Sequence, residues 1–575
     1  MVNFNILKSS DPESNEVKAI VSNGGIDLDS DAAALAKLGY KQEFSRNYNF
    51  LSTFSFALSI SGLMGTISIT YMYPLWSGGP AAAVWCWFAG AIGCLCIAWS
   101  VAEITSCFPT SGGMYYTLAH VVPEKWVPLM CWIDGWLYLT GCLTGACSTD
   151  FGAATLLMQT ISMYSDYSYI PTKGHITAVS ILVMISHGLI NSLPSSVLSS
   201  ITKYYCIVNI CSTIALIVTL LVKCPEINTR QFTFGTVINS TGWKSDGWAF
   251  LFGFLNVSWV MTCYDATSRM SEEISDAAYK TPLAIASALT TTAILGWVLV
   301  VVITLCMGTD MDAYLNSQSG QPIVDIFHYA MGKQAATAYL ALCFVVIWFC
   351  GAAAVCYVSR SLWSFSRDKG IPYPDFWCKL DKFGTPLRCV WIITLINALL
   401  SLINLGSNIA MNAIFSACAI ATDWSYVLVI FCFALNAEKM GVKKGPFNLG
   451  RFSKPIMFAG CVWTCFVSIV FVFPNYMPVS AENMNYTVVI LGFVFIGAGG
   501  WYCIDAKNWY KGPVSNIDDE YEHMIEKLGP IHDENDDSYE LRQKKASAPS
   551  TSSDDEDSLD KDKTANVTST SQNSL

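Results

Sequence analysis

The sequence predicts an all-α integral membrane protein with about twelve transmembrane helices, and three observations support this fold class. Of the 575 residues, 53% are hydrophobic and only 13% are charged, whereas a soluble chain has about 25% charged residues. The mean hydropathy is +0.41. Apolar runs of about 20 residues, long enough to cross about 30 Å of hydrocarbon, recur from Leu51 onward with polar segments between them.

These runs define a twelve-helix membrane domain over residues 45–511, which lies between two polar ends. The runs are at 51–75, 82–104, 127–160, 175–193, 204–222, 247–268, 283–307, 335–360, 387–405, 409–435, 455–474 and 486–504. Residues 1–44 are polar and predict a disordered N-terminus. We expect this end to lie in the cytoplasm, because it lacks the basic patch and short apolar core of a signal peptide. Residues 512–575 predict a disordered acidic cytoplasmic tail, because such a polar segment buries too little apolar surface to offset its ordering entropy.

The distribution of lysine and arginine predicts that both termini lie in the cytoplasm. Loops on the side of the N-terminus carry more of these residues than the opposite loops by roughly three to one, as the positive-inside rule requires. The sequons at Asn239 and Asn485 fall on the opposite side and are candidate glycosylation sites. Ser552 and Ser553 precede an acidic run and are candidate phosphorylation sites. We expect a plasma-membrane location, with a vacuolar or endosomal membrane as the alternative.

Small and polar residues interrupt the first run near the middle of the membrane. The cluster consists of Ser59, Ser61, Gly62, Gly65 and Thr66. Each glycine weakens a helix by about 1 kcal/mol relative to alanine, and discontinuous membrane helices expose backbone groups that bind small molecules or ions. The alternative is close packing of small residues between helices. A second interrupted run favours the broken helix.

That second interruption lies in the sixth run, where Thr262, Cys263 and Tyr264 precede Asp265. An ionisable residue at membrane depth is costly and marks a candidate functional site. Asp265 is a candidate for binding a cation or carrying a proton. The alternative is an internal hydrogen-bond or salt-bridge network, with Arg269 one helical turn away as the partner.

Three of the other acids in the apolar runs are, with Asp265, candidates for proton or cation coupling. Asp150 is in the third run, Asp423 is in the tenth, and Glu103 closes the second. Trp424 follows Asp423, and an aromatic ring beside an acid suits an ammonium group. Core packing is the alternative for most of the aromatic residues.

The remaining composition argues against several other classes of protein. The 22 cysteines lie mostly inside apolar runs, where cysteine behaves as a small hydrophobic residue. The six histidines have no spacing typical of a metal site, and no basic footprint for nucleic acid is present. No nucleophile–base set typical of an enzyme is recognisable. We therefore expect no enzymatic activity, no cofactor and no metal, and we expect the lipid bilayer and a small molecule as partners.

Six short motifs are similar, in this order, to those of one protein family. They are LGYKQEF at Leu38–Phe44, SGGP at Ser77–Pro80, PTSGG at Pro109–Gly113 after Glu103, SEE at Ser271–Glu273 before Pro282, SFSRDKGIP at Ser364–Pro372 and GPF at Gly445–Phe447. With these motifs the chain resembles the fungal amino-acid/choline permeases of the amino acid–polyamine–organocation (APC) superfamily, which include carriers of GABA, choline and related amines.

The resemblance implies a 5+5 inverted-repeat (LeuT-like) fold with broken first and sixth helices, and uptake driven by an ion gradient, usually of protons in fungi. It also implies that backbone groups of the first break hold a substrate carboxylate and that Cys263–Ala266 faces the amine end. The substrate-binding residues expected on these grounds are Ser59, Ser61, Gly62, Gly65, Thr66, Cys263, Tyr264, Asp265 and Trp424.

A permease for amino acids or related amines such as GABA, with proton-coupled uptake by alternating access, is the function that these expectations favour. A choline, thiamine or polyamine permease is the first alternative, because Tyr264, Asp423 and Trp424 together suit a cation. A nutrient sensor with a transporter fold is the second alternative. The short polar ends argue against a sensor.

Overall fold

The computed structural model describes residues 20–22, 25–27, 30–317, 320–406, 408–480 and 484–517. The candidate phosphorylation sites Ser552 and Ser553 and most of the expected acidic tail lie outside these residues. Two short strands, β1 (Ile20–Ser22) and β2 (Gly25–Asp27), pair antiparallel near the N-terminus. The rest of the described chain is dominated by helices.

Helices of very different lengths follow one another along the described chain. They are α1 (Ser30–Lys37), α2 (Phe50–Ser61), α3 (Leu63–Thr70), α4 (Met72–Cys107), α5 (Gly113–Val121), α6 (Val127–Tyr164), α7 (Lys173–Ile190), α8 (Ser195–Lys223), α9 (Arg230–Gly235), α10 (Asp246–Leu251), α11 (Phe254–Val260), α12 (Ala277–Cys306), α13 (Met311–Leu315), α14 (Pro322–Met331), α15 (Lys333–Arg367), α16 (Pro374–Trp377), α17 (Leu387–Ser401), α18 (Ile403–Gly406), α19 (Asn408–Asn436), α20 (Ser453–Val472) and α21 (Thr487–Ile504). Short 3₁₀ turns lie at Glu124–Trp126, Ser268–Glu273, Gly450–Phe452 and Ala506–Asn508.

Ten helical segments among the described residues are long and apolar enough to cross a membrane. They confirm the prediction of an all-helical, multi-pass membrane protein. The two remaining apolar runs of the sequence correspond to α6, which has 38 residues, and to the interrupted segment that contains α10 and α11. The count of twelve spans stays a prediction.

The helix α6 lies at the centre of the bundle. It packs between α15 and α19 and also contacts α7, while α4 packs along α12 and α2 packs against both α12 and α8. The polar break expected after the first run falls inside α4, where Gly79 has φ 68 just before Pro80. Helices α2 and α3 contact α15, α3 also contacts α6, and α11 contacts α19. The two interrupted runs therefore lie beside α6, α15 and α19.

Residues 30–44 pack against the membrane domain, although their composition predicted a disordered N-terminus up to residue 44. Leu35, Tyr40 and Phe44 are buried, and the rings of Tyr40 and Phe44 contact those of Tyr116 and Trp363, respectively. Residues 1–44 are mostly polar, so their composition as a whole did not indicate that the short apolar segment at Leu35–Phe44 would pack.

The chain after the last helix meets this N-terminal segment. Ser515 Oγ donates to the carbonyl oxygen of Gly39 at 2.9 Å, and Asn516 Oδ1 accepts from the amide of Lys41 at 2.8 Å. Contacts with the membrane domain therefore continue beyond the expected boundary at residue 511, as far as Asn516. We call the end of the bundle formed by residues 38–48 and 514–516 the terminal face.

Asp368, directly after α15, holds the terminal face together. It accepts hydrogen bonds from the hydroxyl groups of Tyr40 and Tyr115 at 3.1 and 2.7 Å, and from the amide of Val514 at 3.3 Å. Burial raises the pKa of this carboxyl group to about 6, against the opposing effect of the neighbouring Arg367. The folded protein therefore binds a proton at Asp368 more tightly than the unfolded chain does.

We expect the terminal face to become more stable as the pH falls. A raised carboxyl pKa contributes stability that is fully present below the ordinary value of about 3.9 and is lost as the pH rises through about 6. Asp368→Asn should remove this part of the pH dependence. Hydrogen exchange of residues 38–44, followed from about pH 5 to about pH 7.5, measures it. The exposed Asp375 provides the control variant Asp375→Asn, and an unchanged pH dependence in Asp368→Asn would contradict this assignment.

Candidate functional site

The first interrupted run contains a break between α2 and α3. Gly62 has φ 59, a left-handed conformation, and its amide bonds to the carbonyl oxygen of Leu58 at the end of α2. The hydroxyl of Thr66 donates to the carbonyl oxygens of Ser61 and Leu63. The backbone groups released by the break are therefore partly satisfied by a residue of the same cluster.

Gly62→Ala is expected to lower both the melting temperature and the transport rate. A Cβ at this position would lie 2.6 Å from Cγ2 of Thr66, and the left-handed conformation costs a residue other than glycine about 1–2 kcal/mol. Thermal unfolding of the purified protein and initial rates of uptake measure the effect. Gly235→Ala is the matched control, because nothing lies within 4 Å of a Cβ there. Unchanged stability and transport in Gly62→Ala would show that the break tolerates a side chain.

The second break lies between the end of α11 at Val260 and the 3₁₀ turn that begins at Ser268. Cys263 has φ 60, a conformation that is uncommon for residues other than glycine. The hydroxyl of Tyr357 in α15 donates to its sulfur at 3.0 Å. The hydroxyls of Thr262 and Thr422 share a hydrogen bond at 2.8 Å. Helices α15 and α19 therefore hold the second break in place.

The two breaks meet at a small cavity of about 20 Å³, which has room for about one water molecule. The carbonyl oxygen of Ile60, beside the first break, accepts a hydrogen bond from the thiol of Cys350 at 2.9 Å. The cavity is lined by Ile60, Gly145, Thr149, Trp259, Thr262, Cys263, Cys350, Ala354, Tyr357 and Cys418. None of these ten lining residues is charged.

The structure brings only some of the expected substrate-binding residues to this cavity. Cys263 lines it, and Ser61, Gly62 and Thr66 form the adjoining break. Ser59 lines a neighbouring cavity of about 30 Å³ between α2, α7, α8 and α15, and its hydroxyl donates to the carbonyl oxygen of Ser55. Gly65 packs against α15, since a Cβ there would lie 2.6 Å from Cγ1 of Ile347. Close packing accounts for that glycine.

Two expected aromatic residues lie away from the cavity. The ring of Tyr264 packs against that of Tyr426, with centroids 5.4 Å apart. Trp424 is 43% exposed on the outer surface of α19, whereas the adjacent Asp423 is buried. Successive residues of a helix point to different sides, so the structure does not support a joint site of Asp423 and Trp424.

Asp265 also points away from the cavity. Its Oδ2 accepts from Nε of Arg269 at 3.0 Å, and its Oδ1 accepts from the hydroxyl of Tyr426 at 2.7 Å. Arg269 also donates to the carbonyl oxygen of Gly112 at 2.7 Å, and its guanidinium lies 4.0 Å from the ring centroid of Tyr138. This arrangement corresponds to the internal network that the sequence left as the alternative.

Two more buried ion pairs connect the second break to α15. Nε of Arg360 lies 2.8 Å from Oε1 of Glu273, and Nη2 of Arg367 lies 3.2 Å from Oε1 of Glu272. All of these side chains are at least nine-tenths buried. We call the pairs Asp265–Arg269, Glu273–Arg360 and Glu272–Arg367 the ion-pair layer. It follows Cys263 of the cavity wall along the chain and contacts the terminal face, since the guanidinium of Arg367 lies 3.8 Å from the ring centroid of Tyr40.

The other candidate acids occupy different environments. Oδ1 of Asp423 is buried without a hydrogen-bond partner among the described residues. Glu103, at the end of α4, is neighboured by Ser453 and Lys444 and does not line the cavity. Asp150 lies 3.0 Å from His187 of α7, a partner that the sequence did not indicate. Asp150 is the only one of these three acids whose chain neighbour, Thr149, lines the cavity.

The side chains of both candidate glycosylation sites make hydrogen bonds in the structure. Nδ2 of Asn239 donates to the carbonyl oxygen of Trp243 at 2.8 Å, and Nδ2 of Asn485 donates to that of Phe471 at 2.7 Å. Each Nδ2 also donates a second hydrogen bond, to Oδ1 of Asp246 and to the carbonyl oxygen of Phe473, respectively. A glycan replaces one of the two hydrogens on Nδ2, so glycosylation at either position requires one of its two hydrogen bonds to break. Both positions stay predictions.

Several residues at the cavity were missed from the sequence. Tyr357, Cys350 and Cys418 gave no local signal, because each lies in an uninterrupted apolar helix with many similar residues. Thr149 had a weak signal, as the neighbour of a candidate acid. Trp259 had another, because it immediately precedes the second break.

Comparison with known proteins identifies the family. Residues 48–495 match the family model described as amino acid permease. The chain belongs to the amino acid permease family. This confirms the resemblance to the APC superfamily that the motifs indicated, and it makes the protein a multi-pass membrane permease.

Individual amino-acid permeases align with this family member over most of its length. It is 44% identical to an uncharacterized amino-acid permease from Schizosaccharomyces pombe, over 85% of this chain and 90% of the relative. It is 36% identical to amino-acid permease 2 from Neurospora crassa, over 89% and 94% of the two chains. It is 31% identical to the amino-acid permease BAT1 from Arabidopsis thaliana, over 85% and 97%.

Proposed function

We propose that this permease takes up amino acids or related amines such as GABA across the plasma membrane. In this proposal a proton gradient drives uptake, and the protein works by alternating access. The single observation that carries the proposal is that two broken helices of an amino acid permease meet at one cavity. Broken helices supply unpaired backbone groups for substrate at the middle of the membrane.

In this proposal the substrate lies across the two breaks. Backbone groups at Ser61, Gly62 and Gly65 bind the carboxylate, and the hydroxyl of Thr66 joins them once it releases the carbonyl oxygens of Ser61 and Leu63 to which it donates in this structure. The amine end faces Cys263 and the hydroxyl groups of the cavity wall. The cavity has room for about one water molecule, so the breaks must move apart before an amino acid fits between them.

The absence of charge on the cavity wall favours an amino acid over a simple cation. None of the ten lining residues is acidic, and Asp265 is already neutralised by Arg269. A choline, thiamine or polyamine site combines acidic and aromatic side chains. The cavity wall has two aromatic residues, Trp259 and Tyr357, but no acid, and Trp424 lies outside it. A zwitterionic substrate carries its own counter-charge and needs mainly backbone donors and acceptors.

The ion-pair layer has a defined part in this mechanism. Its pairs Glu273–Arg360 and Glu272–Arg367 join the chain after the second break to α15. We propose that the cavity opens toward the terminal face only when these pairs separate. We propose that the terminal face is cytoplasmic, which is supported by the bias of lysine and arginine in the loops on that side. Separation of the layer then corresponds to release of substrate into the cell.

Uptake by the purified protein in proteoliposomes, with and without an imposed pH gradient, tests the proposal. Radiolabelled alanine, arginine, glutamate and GABA are supplied separately, and choline, thiamine and spermidine are then added as competitors. We expect accumulation of at least one amino acid that collapses when a protonophore removes the gradient. Accumulation of choline, thiamine or spermidine alone would overturn the assigned substrate class. Binding without accumulation would indicate the sensor instead.

A further inference from the structure

A buried acid–base pair lies beside the cavity, outside the ion-pair layer. Nδ1 of His187 in α7 is 3.0 Å from Oδ1 of Asp150 in α6, and the two side chains are 0% and 1% exposed. Asp150 is 14 residues from the end of α6 at Tyr164, and His187 is 14 residues from the start of α7 at Lys173. Both residues therefore lie about 21 Å along their helices from the same side of the bundle, within the about 30 Å of hydrocarbon that a span crosses; His187 is close to the other end of α7, at Ile190.

The helix α15 is shaped to accommodate this pair. A Cβ on Gly351 would overlap Oδ1 of Asp150 and lie 2.5 Å from Cε1 of His187. The ring of Trp348, one turn earlier, packs against the imidazole with centroids 5.2 Å apart. Three helices thus form a closed pocket in which only a glycine fits opposite the pair.

The pair has hydrogen-bonding capacity that the protein does not use. The 3.0 Å contact is not aligned as a hydrogen bond, and Oδ2 of Asp150 and Nε2 of His187 are buried without a partner among the described residues. Buried polar atoms in native proteins are nearly always paired. Unused donors and acceptors on an acid and a base at 3.0 Å fit a site that takes up and gives off a proton.

The charge balance of the pair favours one bound proton. With one proton the pair is neutral overall, either as a carboxylate with an imidazolium or as a carboxylic acid with an imidazole. Without it, a net negative charge remains in a medium where charge is costly. The other titratable groups that face Asp150 are the thiols of Cys147 on α6 and Cys350 on α15, and neither supplies a positive charge.

Asp265 lacks this property. Its partner is an arginine, whose guanidinium stays protonated at all relevant pH values. The Asp265–Arg269 pair is therefore neutral without any exchangeable proton. The pairs Glu273–Arg360 and Glu272–Arg367 are likewise acid–arginine pairs, so among these four buried pairs Asp150–His187 is the one whose base can give up a proton.

The pair is also connected to the cavity through the backbone. Thr149 and Cys350, the chain neighbours of Asp150 and Gly351, both line the cavity. The thiol of Cys350 bonds to the carbonyl oxygen of Ile60 at the first break. A shift of α6 against α15 therefore changes the pair and the first break together.

We propose that Asp150 and His187 form the proton-binding site that drives uptake, an inference that rests on the proposed proton-driven function. One proton binds to the pair from one side of the membrane and leaves to the other side, once per transport cycle, with no other bond made or broken. The neutral, protonated pair permits the closed packing of α6, α7 and α15. Release of the proton requires water to reach the pair.

Asp150→Asn and His187→Gln test this site in proteoliposomes, with the amino acid that the wild-type protein accumulates best. A gradient of about one pH unit supports up to about tenfold accumulation for one proton per substrate. We expect the variants to fall to a ratio of about one while retaining exchange of internal for external substrate, a step that needs no net proton movement. The matched controls are Asp166→Asn and His175→Gln, which alter an exposed acid near the end of α6 and the exposed histidine of α7.

The outcomes are distinguishable. If the wild-type protein shows no gradient-driven accumulation, the proposed function itself is wrong. If it accumulates substrate and both variants do so equally well, the proton site lies elsewhere. Where a single variant gives no folded protein, the exchanged pair D150H/H187D keeps one proton on the same two positions. Accumulation by the exchanged pair supports the proposal, and exchange without accumulation, or failure of this variant to fold, contradicts it.

Gly351→Ala provides a second measurement that leaves both titratable groups in place. The added methyl group occupies the space of the pair, so we expect gradient-driven accumulation to fall as in Asp150→Asn while exchange persists. Gly492→Ala is the control, since nothing lies within 4 Å of a Cβ there. Accumulation at the wild-type level in Gly351→Ala would show that the geometry of the pair is not needed for coupling.

Discussion

Asp265→Asn is expected to abolish transport because it removes a large part of the free energy that keeps the protein folded. Asparagine cannot neutralise Arg269, whose side chain is 1% exposed and stays charged. Removal of one partner of a buried ion pair costs about 3–5 kcal/mol, and the total stability of a protein is about 5–15 kcal/mol. We expect a lower melting temperature and a smaller yield of monodisperse protein in detergent.

The double variant Asp265→Asn/Arg269→Gln shows whether Asp265 only neutralises Arg269 or also carries the transported proton. It removes both charges, and replacing a buried pair by neutral groups is often tolerated. If Asp265 only neutralises Arg269, the yield of folded protein recovers and gradient-driven accumulation returns at least in part. If the double variant folds and exchanges substrate but does not accumulate it, Asp265 is the proton carrier and the assignment to Asp150–His187 is contradicted.

An exposed ion pair serves as the control for both variants. Nζ of Lys454 lies 2.7 Å from Oε2 of Glu438, with side chains 50% and 70% exposed. Exposed pairs contribute little to stability because water screens them. Glu438→Gln should therefore leave yield, melting temperature and transport close to those of the wild-type protein.

Features that depend on local sequence were predictable. The apolar runs located the long helices, since a membrane span needs a fixed length of apolar residues. The glycines at Gly62 and Gly65 and the acid at Asp265 marked the two interrupted runs. The spacing of Asp265 and Arg269 correctly suggested an ion pair, because residues four apart on a helical turn are neighbours.

Features that depend on the packing of distant helices were not predictable from one sequence. Lipid is as apolar as a protein core, so hydropathy does not tell which side of a membrane helix faces the bundle. The sequence therefore predicts Trp424 at the substrate site, whereas in the structure its side chain faces away from the helix bundle. Tyr357 was overlooked although it donates to Cys263. Asp150 and His187 belong to different helices, and no local pattern connects them.

The Glu272–Arg367 pair is the member of the ion-pair layer that contacts Tyr40 of the terminal face. Both guanidinium Nη atoms of Arg367 lie within 3.3 Å of the carboxylate of Glu272, which also accepts from the amide of Ser111 at 3.2 Å. The guanidinium lies 3.8 Å from the ring centroid of Tyr40. The pair thus joins the 3₁₀ turn after the second break, the segment before α5, α15 and the N-terminal segment.

Glu272→Gln is accordingly expected to open the terminal side and uncouple transport. Loss of the carboxylate destabilises the closed arrangement relative to the open one, and each 1.4 kcal/mol shifts that equilibrium by about tenfold. We expect faster hydrogen exchange in residues 268–274 and 40–44, a smaller accumulation ratio, and exchange of internal for external substrate that persists. Arg367→Gln should act in the same way, and the double variant should add little, because the two residues act as one unit.

The pattern of hydrogen exchange decides whether this pair is a gate or a general support of the fold. Faster exchange confined to the terminal face and the second break, with α20 and α21 unchanged, indicates local opening. An increase spread evenly over the bundle would show that Glu272→Gln merely weakens the whole protein. Unchanged exchange together with full accumulation would place the gate elsewhere in the ion-pair layer, and Glu273→Gln, which breaks the pair with Arg360, then becomes the variant that must show the local opening.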